Sequence, residues 1–245
     1  MQFSFNCTAC GRCCNSSPEM TFEELQQHEQ LFIGCLAVAR QANGGLLLST
    51  QGFDYPSIAR CPALQSDGLC SLHAPGKPGA CQVVPLNPHF SDEQQVIVLQ
   101  RRHAEATFLG AQCITTDTRD GYAPLADDQQ VLDVGYRKAL HRQRSQMQQE
   151  NLRWADRVRH WLTAEASLAA LRPGGYLALP LVPILAVLAE TEPTQRPRGE
   201  RYAQHQIQLI ERSIDAALQR RNAADRASTA ELRRFAQHYR AYLSS

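Results

Sequence analysis

Four of the first fourteen residues are cysteines: Cys7, Cys10, Cys13 and Cys14, within the stretch FNCTACGRCCNSS. A C-x2-C turn sets two sulfurs on one side of a short loop with backbone N–H groups aimed at them, which suits tetrahedral thiolate ligation of zinc or of a cluster iron. Here the unit is doubled into C-x2-C-x2-C. Cys61, Cys70, Cys81 and Cys113 follow in stretches without a clear helical pattern, and glycines and prolines around Cys61, Cys70 and Cys81 let the backbone curl around an ion. Together these residues make eight candidate thiolate ligands. The ninth cysteine, Cys35, stands among apolar neighbours at helical spacing and is expected to be core, because a free cysteine packs like a small hydrophobe.

The surroundings of the chain decide what thiols can do. MQFSFNCTAC has neither a basic n-region nor an apolar stretch, so a cytoplasmic protein is expected, with thiols kept reduced unless something ligates them. The longest apolar run, YLALPLVPILAVLA at 176–189, is shorter than the ~20 residues of a membrane span and contains Pro180 and Pro183. Nine is also an odd number, which leaves one thiol over from any complete disulfide scheme.

The identity of the metal stays open between two donor patterns. Three cysteines at this spacing plus a remote one followed by proline is how bacterial ferredoxins hold a [4Fe–4S] cluster, and Cys61-Pro62 supplies such a partner, at a far longer remote spacing. Alternatively, eight thiolates close two all-thiolate zinc sites, with adjacent Cys13 and Cys14 serving different metals because neighbouring side chains diverge. His73, in Cys70-x2-His73, is either a further ligand or an ordinary loop histidine. A third use of the same residues is thiol chemistry in its own right, as a redox sensor or metal-trafficking protein, since crowded thiolates oxidise readily when no metal sequesters them.

CTACGRCC followed by CPALQSDGLCSLHAPGKPGACQVVPL resembles the CxxCxxCC cysteine-cluster family, also called YkgJ-type and described as zinc- or iron-chelating. Cys7, Cys10, Cys13 and Cys14 match the first part of the family pattern, Cys61-Pro62 the second, Asp67-Gly68 and Cys70 the third, and Pro78, Cys81 and Pro85 the fourth. Cys113 falls where many members carry a further cysteine. Lys77 and Gln82 stand where the pattern expects arginines, which puts any anion-binding role of those arginines in doubt: lysine lacks the bidentate fork and glutamine the charge. The resemblance covers roughly the first half of the chain. More distantly, the cysteine signature is similar to that of flagellin lysine-N-methylases, which implies an iron–sulfur cluster and methyl transfer from S-adenosylmethionine. The residues themselves lend this little: there is no G-x-G-x-G turn, and Cys10-x3-Cys14 is followed by Ser17 where a radical-type C-x3-C-x2-C unit needs its third cysteine.

The elements that must position these thiols divide the chain in two. All nine cysteines and nine of the fourteen glycines lie before residue 114. Residues 1–136 carry seven Lys+Arg against fourteen Asp+Glu, and the remainder eighteen against ten, so the formal +1 hides about −7 in front and +8 behind. A basic second half can attract a protein partner or substrate; solvated helix faces are the plainer explanation, and nucleic acid is not expected. Thr21 and Glu24 form a T-x-x-E capping box predicting a helix to about Gln41, with Leu25, Leu31, Phe32, Cys35 and Val38 on its apolar face. GGLLLST at 44–50 and QVIVLQR at 95–101 predict strands. The segment between them, Tyr55 to Phe90, has too little apolar pattern to hold itself together by packing, so some other staple is expected.

From about Asp127 to Leu162 the spacing of Val131, Val134, Leu140, Met147, Leu152, Ala155, Val158 and Leu162 predicts a helix, with Gly135 a potential break and Trp154 and Trp161 on one face. LRPGGY stops it at Arg172. A short buried element at 179–189, a polar loop at 191–200 and two amphipathic helices follow, one at 200–222 and one opened by a Ser228/Glu231 capping box. No P-loop, dinucleotide fingerprint, H-E-x-x-H or G-x-S-x-G appears, so the motifs establish no enzyme class. The expected architecture is mostly α: residues 1–124 as an irregular, cysteine-rich α+β module organised around metal, and residues 125–245 as a helical region packed on it.

Overall fold

Alternating Phe3 and Phe5 in QFSF give the first strand its period-two pattern. The structure, a computed structural model, describes residues 1–73, 76–105, 113–117, 119–162 and 171–245. In chain order the elements are β1 (Gln2–Phe5), α1 (Phe22–Gln27), β2 (Gly34–Arg40), β3 (Leu46–Gly52), α2 (Gly79–Gln82), α3 (Gln95–Ala104), β4 (Ile114–Thr115), β5 (Ala123–Asp127), β6 (Gln130–Val131), α4 (Val134–Leu162), β7 (Tyr176–Pro180), α5 (Val182–Thr191), α6 (Arg196–Arg220) and α7 (Arg226–Leu243). They fall into two compact units, each assembled from two stretches: unit 1 is Met1–Pro18 with Arg60–Met147, unit 2 is Glu19–Ala59 with Gln148–Ser245. Among the described residues no helix is long and apolar enough to cross a membrane.

Unit 1 holds a four-stranded antiparallel sheet in the order β4-β1-β5-β6. Phe5 lies opposite both Ile114 and Ala123, and a register shift falls between Phe3 and Ser4. Its core gathers Phe3, Val83, Leu86, Leu99, Ile114, Leu125, Ala126, Val131 and Leu140. Burial of each larger member contributes about 1.5–3 kcal/mol. Two expectations change here. The Pro/Gly-rich segment does supply packing, through Val83 and Leu86. Unit 1 therefore has an apolar core of its own. The stretch QVIVLQR is helix α3, not a strand: the preceding 3-10 turn carries a Ser91/Gln94 capping box, and Val98 and Leu99 face inward while Ile97 is exposed. A short apolar run is ambiguous between the two periods, and here the cap decides.

Unit 2 holds the antiparallel sheet β3-β2-β7. The Thr21/Glu24 capping box is present, but the helix it opens ends at Gln27. Residues 34–40 form the central strand, paired from Gly34 through Arg40 on one edge and from Cys35 through Ala39 on the other. Five consecutive buried residues, Gly34 to Val38, are the mark of a strand covered on both faces, and such a run mimics a helix core in sequence. The polar backbone of the intervening turn is held by the buried Gln206 amide, which accepts from Gly34 N–H at 2.8 Å and donates to the carbonyls of Glu29 at 2.9 Å and Phe32 at 3.2 Å. Cys35 is core as expected, on a strand instead of a helix.

Among the described residues, the C-terminal half is mainly helical, with β5, β6 and β7 as its strands. The expected 191–200 loop is instead a 3-10 turn, Pro193–Gln195, running into α6. The second capping box does not form: α7 starts at Arg226, and Ser228 is buried inside its first turn. Trp154 is buried while Trp161 is half exposed. The predicted stop at Arg172 depends on residues 163–170, which lie outside the described residues.

Candidate metal centre

All eight candidate ligands lie in unit 1, and Cys35 lies in unit 2. Strand pairing assembles the first part of the site. Antiparallel β1 and β4 run past each other so that Asn6 N–H donates to the Cys113 carbonyl at 3.0 Å, which carries the start of the Cys7 loop alongside Cys113. The Thr8 hydroxyl lies 3.8 Å from Cys113 Sγ. The loop then reverses through two left-handed residues, Ala9 (φ 51) and Gly11 (φ 70), and Cys14 N–H closes the turn on the Gly11 carbonyl at 2.9 Å. Gly11 is needed twice, for its positive φ and because an added Cβ would sit 3.2 Å from Leu64 Cδ1 and 3.4 Å from the Gly68 carbonyl oxygen.

The second part is a small hairpin. Cys61 N–H donates to the Cys14 carbonyl at 2.8 Å, so the two residues are in direct backbone contact. Leu64 and Cys70 form a bridge, Ser71 N–H reaches the Ala63 carbonyl at 2.8 Å, and Gly68 (φ 82) with the Asp67 side chain makes the turn, Asp67 Oδ1 accepting from Leu69 N–H at 2.9 Å. Cys61 and Cys70 thereby return to one end of the hairpin. Cys81 comes from α2, which packs so closely on α4 that a Cβ at Gly79 would fall 1.6 Å from Gln143 Oε1.

The thiols influence each other's protonation. Cys13 donates to the Cys14 sulfur, which together with burial and the Cys14 charge pushes the Cys13 pKa up and lowers that of Cys14. Burial, then the charges of Cys61, Cys70 and Cys13, push Cys81 up to about 12, opposed by Lys77. Cys10 is lowered by the Arg12 backbone N–H first, then by the Thr8 hydroxyl and the Cys113 thiol, against the effect of burial. Cys113 is raised, chiefly by burial. Cys7, Cys10 and Cys13 are exposed, Cys14, Cys70 and Cys81 half-buried, Cys61 and Cys113 buried.

Sequence reasoning did not single out Thr8 or Arg102 here, and marked Lys77 only as a departure from a pattern. Lys77 places its charge near Cys13 and Cys81, and Arg102, anchored by its Nη1 donating to the Pro85 carbonyl at 2.6 Å, interacts with Cys13. Arg102 sits on α3, whose helical period could have placed it. His73 is exposed, and its backbone N–H donates to the Cys70 carbonyl at 3.1 Å.

Among the described residues, no three His, Cys, Asp or Glu side chains stand in position to hold a metal ion. The donor set itself fits a thiophilic ion. Its members are thiols gathered from separate stretches of chain, and their mutual charge repulsion is what a bound cation relieves. Residues 6–113 match the family model CxxCxxCC, described as a putative zinc- or iron-chelating domain. No curated protein and no solved structure matches the chain.

Proposed function

The chain carries a CxxCxxCC domain over residues 6–113, of a family described as zinc- or iron-chelating, and from that premise we propose a metal-binding protein that holds zinc or iron through thiolates drawn from Cys7, Cys10, Cys13, Cys14, Cys61, Cys70, Cys81 and Cys113. One observation carries the reading: these eight cysteines, spread over more than a hundred positions of the chain, fold into one compact unit, with the charges of Cys61, Cys70 and Cys81 felt at Cys14, while Cys35 is packed as core in the other unit. A bound ion would supply the positive charge that crowded thiolates lack and would draw protons off them. Gly11 and the Gln65–Leu69 turn orient Cys14, Cys61 and Cys70; Thr8 steadies Cys113; Lys77 favours the ionised form of Cys13 and Cys81. The family description names chelation and no methyl transfer.

Purification without air or chelators, followed by metal analysis and a visible spectrum, tests the reading. Iron with acid-labile sulfide and a broad brown absorption identifies an iron–sulfur cluster; a colourless protein holding zinc identifies thiolate zinc. A folded protein free of both metals, unable to bind either when reduced, overturns the proposal.

A further inference from the structure

We infer that unit 2, independently of the cysteines of unit 1, carries a binding cleft for a small aliphatic ammonium ion, where Gln51, Asp54 and Tyr176 beside the sheet meet Ser228 and Glu231 of α7. The cleft has a volume of about 390 Å³, at the small end of ligand-binding cavities. Its floor follows from the strand register. Cys35 pairs with Gln51 of β3 and Ala37 with Ala178 of β7, and cross-strand partners share a face. The small side chains of Cys35, Ala37 and Ala178 leave space over β2, and across that strand Gln51 Nε2 donates to the Tyr176 hydroxyl at 2.8 Å. Phe53 and Asp54 follow directly on β3, while Ser228 and Glu231, one turn apart on α7, supply the helix wall.

Two groups in that wall are left unsatisfied. Glu231 is half-buried, and among the described residues its carboxylate has no hydrogen-bond or ion-pair partner. Burial raises its pKa above the usual carboxylate value, with the charge of Arg234 opposing. Ser228 is 9% exposed, and among the described residues its hydroxyl has no partner either. The sequence pattern marks these two as a capping box; with α7 starting at Arg226 they have no cap to make, and both line the cleft. Together with Asp54 and the Tyr176 hydroxyl they offer negative charge and hydrogen-bond acceptors to a ligand that donates. A hard metal ion needs more oxygen ligands than two carboxylates supply, and among the described residues no three His, Cys, Asp or Glu side chains gather to hold one. A primary ammonium on an apolar stem matches both halves of the wall: its N–H groups make charge-assisted hydrogen bonds to the carboxylates, and its methylenes pack on Phe53, Leu177 and Ala178.

The test titrates n-butylammonium into the full-length chain as purified and follows backbone amide shifts by heteronuclear NMR. Saturable shifts are expected at Gly52, Phe53, Leu177 and Ala178 at millimolar ligand, the range open to so small a molecule. Glu231→Gln weakens binding by at least ~10-fold, as the loss of one charge-assisted hydrogen bond does. Butyrate, of similar size and opposite charge, shifts none of these residues, and tetramethylammonium, which lacks N–H donors, binds more weakly than n-butylammonium. These wild-type comparisons carry the test even if the variant fails to fold, a failure that far-UV circular dichroism identifies. A flat titration, binding of butyrate or tetramethylammonium as tight as that of n-butylammonium, or unchanged affinity in folded Glu231→Gln overturns the site. Binding of a short lysine peptide at least ~10-fold tighter than n-butylammonium overturns the assignment to a free amine. None of these outcomes bears on metal binding by unit 1.

Discussion

Gly79→Ala is the sharpest probe of how the fold holds Cys81. The added methyl would sit 1.6 Å from Gln143 Oε1 and 2.5 Å from Gln143 Cδ, against the ~3.4 Å of an ordinary contact, so the Gln143 amide must retreat by nearly 2 Å. It has little room to do so: Gln143 is 1% exposed, and α2 lies against the apolar cluster through Val83, just after its last residue. Overpacking of this kind costs about 1–3 kcal/mol, which is roughly a 5- to 150-fold fall in the folding constant. Because Cys81 lies two residues further along α2, displacement of the helix also weakens metal uptake. Gln143→Ala removes the obstructing group, and with it a buried amide that has no hydrogen-bond partner for either Nε2 or Oε1. Urea unfolding of both single variants and the double variant forms a double-mutant cycle. The double variant is expected to recover at least ~1 kcal/mol relative to the sum of the singles, with zinc content restored in parallel. Strict additivity would refute the claim that Gly79 is required because of Gln143.

Three further outcomes are expected. Cys35→Ala leaves metal content at the wild-type level, measured by elemental analysis, while lowering unfolding stability by about 1 kcal/mol, since it deletes a fully buried sulfur from the core of unit 2. Asp225 is 2% exposed; burial raises its pKa, but hydrogen bonds from the Ser57 hydroxyl and backbone N–H and from Arg220 outweigh that and hold it below the usual carboxylate value. Its folded pKa is thus lower than the unfolded value of about 3.9. The stabilisation is complete above that pH and is lost as pH falls through the folded pKa; Asp225→Asn should destabilise the neutral-pH protein and flatten the acid limb of a thermal-melting pH profile. Thr21→Ala removes the side-chain half of the α1 capping box and should cost about 1 kcal/mol in chemical unfolding without altering metal content.

The candidate site was more legible than the fold that carries it. Residue type and spacing marked the eight thiols as candidates, starting from the doubled C-x2-C unit, and apolar neighbours set Cys35 apart. The Thr21/Glu24 cap was equally readable, being a local hydrogen-bond pattern three residues long. What followed the cap was not. FIGCLAVA fits the apolar face of a helix as well as a strand buried on both sides, and only pairing with β3 and β7, far away in sequence, makes it β2. QVIVLQR failed in the opposite direction for the same reason.

Sequence by itself determined which atoms are available, namely nine thiols in the first half of the chain, eight of them candidate ligands, with a basic half behind them, since composition and spacing are properties of the chain. Tertiary structure alone decided which thiols meet. The β1–β4 register brings Cys7 and Cys10 towards Cys113, the Cys61–Ser71 hairpin closes on Cys14, and Gly79 against Gln143 presents Cys81. Those encounters depend on hydrogen bonds and contacts between residues up to about a hundred positions apart, and no local pattern in the chain encodes them.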